Sequence, residues 1–267
     1  VVRVREWTPG GRSGRLHDVC EERAVTSDWA VGLALGGIVV VGASVQRMAG
    51  IGFALVSAPA LVLLLGPAQG VLLSNCATGA ICAAGLATAW REVRLVPMLP
   101  LVIASACAAP AGAWVAARLP EPVLLTGVGT LVCAAVLPIM YGVRLPALHG
   151  AKGALAAGTA SGFMNSSAGV GGPAVSLYAV NAGWTVREFV PNAHFQGVVV
   201  NVFSVAARGM PQLTTTRWGV TAAGVAAGAV IGKALVERVP ENRARLTVLL
   251  LALAGGLTTL GKGLSGL

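Results

Sequence analysis

Two glycine clusters hold the chemistry this sequence offers. Gly50 and Gly52 stand in one apolar stretch, and Gly169, Gly171 and Gly172 stand in another. A Gly-x-Gly pair inside an apolar segment is costly unless the backbone must bend there. Unwinding leaves amides and carbonyls that hydrocarbon cannot satisfy, so such breaks survive where they line a cavity or are buried in protein. The half-helix that restarts after a break points its N-terminus, carrying about half a positive charge, toward the membrane midplane. Two such ends facing each other form an anion site made of backbone.

Polar residues gather around both clusters. Gln46 and Arg47 precede the first, Asn165 and Ser166 precede the second, and Asn75 and His194 stand on the helices that follow. A guanidinium with amides and hydroxyls is suitable chemistry for an oxyanion. If the first break lies deep, Arg47 is a buried cation, which is a functional residue by default. If the break is a short loop, Arg47 extends to the interface instead. The candidate substrate-binding residues are Arg47, Gly50, Gly52, Asn75, Asn165, Ser166, Gly169, Gly171, Gly172 and His194. The competing account is close helix packing through small residues, with interhelical hydrogen bonds to the amides.

The elements that must position these residues repeat. Gly50-Ile51-Gly52-Phe53-Ala54-Leu55-Val56-Ser57 lies 119 positions before Gly169-Val170-Gly171-Gly172-Pro173-Ala174-Val175-Ser176. At that offset Gln46 meets Asn165, and Arg47 meets Ser166. One internal repeat is the economical explanation. Motif to motif takes about five crossings, and an odd number inverts the two halves with respect to the membrane.

Composition says what surrounds the repeats. The chain is 55% hydrophobic and 11% charged, too little charge to cover a water-soluble globule. No Asp, Glu, Lys or Arg occurs from Met48 to Trp90, from Leu95 to Ala117, or from Gly153 to Val186. Each run reaches the roughly 20 residues that cross a hydrocarbon core. The expected fold is all-α: a polytopic membrane helical bundle of two repeats, with helices broken at the glycine motifs. Apolar runs fall at 29–47, 50–65, 68–90, 95–117, 122–141, 151–181, 189–208, 217–236 and 246–264, the sixth being two segments joined at a break. Residues 1–28 form a polar N-terminal tail, expected to be partly unstructured. Residues 29–141 hold the first membrane repeat with a connecting helix, and 142–267 the second.

The net charge of +9 sits in the loops and tail. In this setting it points to topology and anionic head groups rather than nucleic acid. The odd five cysteines have neither metal-ligand nor disulfide spacing. No metal or other cofactor is expected. All ten acidic residues lie in the tail or in predicted loops, so no carboxylate is available for the proton coupling that pumps commonly use. Anion export needs no coupling ion. At about 2.3 kcal/mol per charge per 100 mV, a monovalent anion gains roughly 2.8 kcal/mol at ~120 mV, about a hundred-fold gradient.

The twin motifs resemble those of the sulfite exporter TauE/SafE family. The likeness runs through Gly50-Ile51-Gly52-Phe53-Ala54 to Pro59-Ala60-Leu61, and through Ser161-Gly162 and Gly169-Val170-Gly171-Gly172-Pro173 with the helix that follows. It covers residues 30–264. Phe53 stands where the family's first motif has a third glycine. The resemblance implies a multi-pass permease of the plasma membrane, not an enzyme. Its partners would be a small anionic substrate, such as sulfite, sulfoacetate or another organosulfur anion, and the lipid bilayer. Association into a homo-oligomer is left open. Two rival readings remain. Thr159-Ala160-Ser161-Gly162 with Ala193-His194-Phe195-Gln196-Gly197 is similar to the Ser/His pair of rhomboid intramembrane proteases, but lacks the usual glycine two residues before the serine. A non-transporting membrane scaffold is the other, and it has no need of unwound helices.

Overall fold

The computed structural model describes residues 13–49, 52–141, 148–236 and 241–267, and they form ten α-helices. In chain order they are α1 (Ser13–Ala49), α2 (Phe53–Leu65), α3 (Pro67–Ala89), α4 (Leu95–Arg118), α5 (Glu121–Met140), α6 (Gly150–Ala168), α7 (Gly172–Asn181), α8 (Val186–Arg208), α9 (Thr215–Val236) and α10 (Glu241–Leu264). A 3-10 turn at Trp90–Glu92 joins α3 to α4. Of the tail 1–28, residues 13–28 are helical and continuous with the apolar part of α1, and residues 1–12 lie outside the described residues. Extending a helix already nucleated by its apolar half adds a hydrogen bond per residue without a new nucleus.

Among the described residues, five segments are long and apolar enough to cross a bilayer: Trp29–Arg47, Pro67–Glu92, Leu95–Arg118, Glu121–Met140 and Thr215–Leu235. Phe53–Leu65 and Leu249–Leu264 are shorter apolar helices. Large apolar side chains face outward on many of these helices, among them Leu33, Val96, Ile103, Val202, Val230 and Leu257. That outer surface suits lipid and not water.

Small residues set how the helices pair. The most extensive contacts are α4 with α6, α1 with α9, α5 with α10, and α3 with α8. On α9, Gly228 lies against Val40 O and Ala43, and Gly232 against Ser44 O, where an added Cβ would stand only 2.5–2.7 Å from those atoms. Gly158 and Gly162 of α6 abut the backbone of Leu101 and Ser105 on α4 in the same way. Hydroxyls fasten both seams: Ser44 Oγ donates to Gly228 O at 3.1 Å, and Ser105 Oγ reaches Gly158 O at 2.9 Å. Without a hydrophobic force between helices in lipid, such backbone approach and interhelical bonding carry association.

Candidate functional site

The site lies among four helix ends: α1 at Ala49, α2 at Phe53, α6 at Ala168 and α7 at Gly172. In the first half α1 ends at Ala49 and α2 begins at Phe53, with Gly52 as N-cap at φ 134°. Gly50 lies outside the described residues. In the second half Gly169 caps α6 at φ 75°. Its N–H donates to Asn165 O at 2.9 Å, and Val170 N–H to Met164 O at 3.4 Å, the usual closure of a helix by left-handed glycine. Gly171 then serves as N-cap of α7. Pro173, in the first turn of α7, removes an N–H that has no intrahelical partner there.

Each restarted helix is tied to an amide on the helix before it. Gln46 Oε1 accepts from the Phe53 N–H at 3.0 Å, and Asn165 Oδ1 accepts from the Gly171 N–H at 3.2 Å. Asn165 also donates from Nδ2 to Asn201 Oδ1 at 3.1 Å and to Ser204 Oγ at 3.0 Å, both on α8. Its carbonyl accepts from Asn75 Nδ2 at 3.3 Å. The buried side chain of Asn165 thus holds α6, α7 and α8 in register, and its backbone carbonyl adds α3.

Both restarts line one cavity of ≈ 60 Å³, room for about four waters or a small oxyanion. Gln46, Gly52 and Ala54 contribute from the first half, and Asn165, Gly171 and Gly172 from the second. Thr78 and Cys82 of α3, Ser161 of α6, and Gln196 and Asn201 of α8 complete its polar wall. Among the described residues, no charged side chain lines it. Two buried polar atoms on lining residues, Ser161 Oγ and Gln196 Oε1, have no hydrogen-bond partner among the described residues. In a protein interior such groups are nearly always satisfied, so both stand out as unmet hydrogen-bonding capacity on residues of the cavity wall.

The remaining candidates fall into two groups. Asn75, Ser166 and Gly169 are buried beside the cavity without lining it. A Cβ on Gly169 would lie 3.7 Å from Asn75 Oδ1, and Ser166 O accepts from Arg208 Nη1 at 2.8 Å. Arg47 and His194 are not brought to the cavity wall. Arg47 is exposed in the last turn of α1, near Gly232. The His194 ring lies over Gly85, with Nδ1 2.9 Å from Val190 O. Sequence reasoning missed Ser105, Ser204 and Arg208. Nothing in the sequence distinguishes these from other isolated polar residues on apolar helices.

A family model for the sulfite exporter TauE/SafE matches residues 33–259. The chain belongs to this family. Neither a curated protein nor a solved structure matches it. As a TauE/SafE protein it is a multi-pass membrane transporter and not an enzyme. The protease alternative fails on geometry as well: Ser161 Oγ has no hydrogen-bond partner, whereas the His194 ring is engaged elsewhere, and a serine nucleophile needs a base within reach. In this TauE/SafE chain Ser161 is a cavity-lining hydroxyl.

Proposed function

We propose that the protein is a plasma-membrane permease for small anions, exporting sulfite, sulfoacetate or a related organosulfur anion through the cavity between the two interrupted helices. The observation that carries this reading is that Gly52 and Gly171, the N-caps of α2 and α7, line the same cavity. Two helix N-termini directed at one small space favour negative charge there.

An internal repeat underlies the arrangement, and three facts support it. Gly171 follows Gly52, and Val186 and Arg208 follow Pro67 and Ala89, by the same 119 positions that separate Asn165 from Gln46. Gln46 and Asn165 make the same kind of bond to the helix that restarts after them. The packing is reciprocal: α4 on α6 has its counterpart in α9 on α1. His194 stands 119 positions after Asn75, so equivalent points of the two halves carry different polar groups. Arg47, next to cavity-lining Gln46, is the cation that draws an anion toward the site.

Flux from reconstituted vesicles tests the proposal. Sulfite or an organosulfur anion leaves proteoliposomes faster than empty liposomes, and Arg47→Ala lowers the rate while the protein still reaches the membrane. Rates equal to empty liposomes for sulfite, sulfoacetate, taurine-derived and carboxylate anions alike refute it. An unchanged rate in Arg47→Ala removes that residue from the site.

A further inference from the structure

The amide of Gln196 is fixed in one orientation by a residue behind it. Ser105 Oγ lies 2.9 Å from Leu101 O and 2.9 Å from Gly158 O, two carbonyls that can only accept. Its single proton therefore goes to one of them. The third neighbour is the Gln196 amide at 2.6 Å. If that amide donates through Nε2, one unprotonated oxygen contact remains at Ser105. If it were reversed, the hydroxyl proton would go to Gln196 and both carbonyls would face bare lone pairs. The network thus holds Nε2 on Ser105 and leaves Oε1 as the free end. Oε1 is fully buried, lacks a partner, and belongs to a residue of the cavity wall.

An anion site needs donors, and this one has them: the starts of α2 and α7, and the Ser161 hydroxyl. A bare acceptor such as Gln196 Oε1 does not fit a fully deprotonated oxyanion, whose oxygens it would repel. Resting on the permease reading, we infer that the cavity selects a monoanion that itself carries a hydrogen-bond donor, such as a hydrogen oxyanion, and that Gln196 is the residue that reads this donor. The donor end of the guest satisfies Oε1 while its charged oxygens meet the helix starts. Ser105 is a positioning residue that acts through Gln196.

Hydrogen methylphosphonate and methanesulfonate test this. At mildly acidic pH both are monoanions of nearly the same shape, but only the first carries an O–H. Binding of each to the purified full chain in nanodiscs is the readout, with sulfite flux measured separately. The expected result is tighter binding of hydrogen methylphosphonate by about tenfold or more, since a site built around a substrate donor leaves its acceptor unpaired with the other probe. Gln196→Met, close in volume, brings the ratio toward one. Ser105→Ala, which frees the amide to turn without altering the cavity wall, lowers it as well. Equal binding of the two probes by the wild-type protein overturns the inference, as does failure to bind either, or an unchanged ratio in both variants. Sulfite flux that persists in any of these cases leaves the permease reading standing; its absence removes that reading too.

Discussion

Asn165→Ala is the sharpest test of how the site is held. The substitution deletes the bonds to Gly171 N–H, Asn201 Oδ1 and Ser204 Oγ. A hydrogen bond of this kind contributes about 0.6 kcal/mol in membrane interiors and up to about 1.5 kcal/mol in proteins generally. Three of them sum to a loss of about 2–4.5 kcal/mol. The lower end applies if water from the adjoining cavity replaces the lost partners. Reversible unfolding in mixed micelles gives the stability change, and flux from proteoliposomes gives the functional one. The expectation is a loss within that range, together with flux reduced to near the empty-liposome rate, in protein still delivered to the membrane. A stability change below about 0.5 kcal/mol, or an unaltered flux, would refute the assignment of Asn165 as the brace of the second restart.

Other perturbations probe different parts of the argument. Gly171→Ala places a methyl 2.7 Å from Ser161 O and 2.8 Å from Asn165 Cβ, so it should cost about 1–3 kcal/mol and diminish anion binding, measured by nanodisc titration. Gly52→Ala forces an L-residue to φ 134°, at a cost of about 1–3 kcal/mol, visible as a lowered melting temperature. At the N-terminus of α8 the Thr185 backbone N–H and hydroxyl, with Arg94 beside them, hold the Glu188 carboxyl below its ordinary value of 4.5. A depressed folded-state pKa contributes stability that is present above the unfolded value and lost as pH falls through the folded one. Melting temperature should therefore fall on acidification below about pH 4.5, less so in Glu188→Gln; identical pH profiles for the two proteins would contradict this.

Much of the helix layout was legible because lipid leaves little freedom. A charge-free run must be helical, and charges bound it: 95–117 was expected and α4 is Leu95–Arg118, while 122–141 was expected and α5 is Glu121–Met140. Within 151–181 the helix ends are α6 at Ala168 and α7 at Gly172, beside the cluster of Gly169, Gly171, Gly172 and Pro173. The helical start of α1 was not legible, since a mixed-charge segment carries no periodic apolar signal. The cavity wall was legible only at its backbone. Gln196 and Ser105 are 91 positions apart, and nothing local marks either as the other's partner. His194 was a candidate as a polar residue early in the helix after the second motif, yet helix phase turns it toward Gly85 and gives the wall to Gln196 and Asn201.

The glycine seams also constrain how such a molecule could change shape. Where α9 rests backbone to backbone on α1, and α6 on α4, no side-chain cushion exists to absorb a small slip. Either pair would have to jump a whole helical turn, about 5.4 Å, or not slide at all. Opening and closing then falls to joints elsewhere. The ten-residue α7 belongs to the α4–α6 body, since Val175 and Tyr178 are buried with Met98, Leu101, Ala154 and Ala157 and the Gly171 N–H is bonded to Asn165.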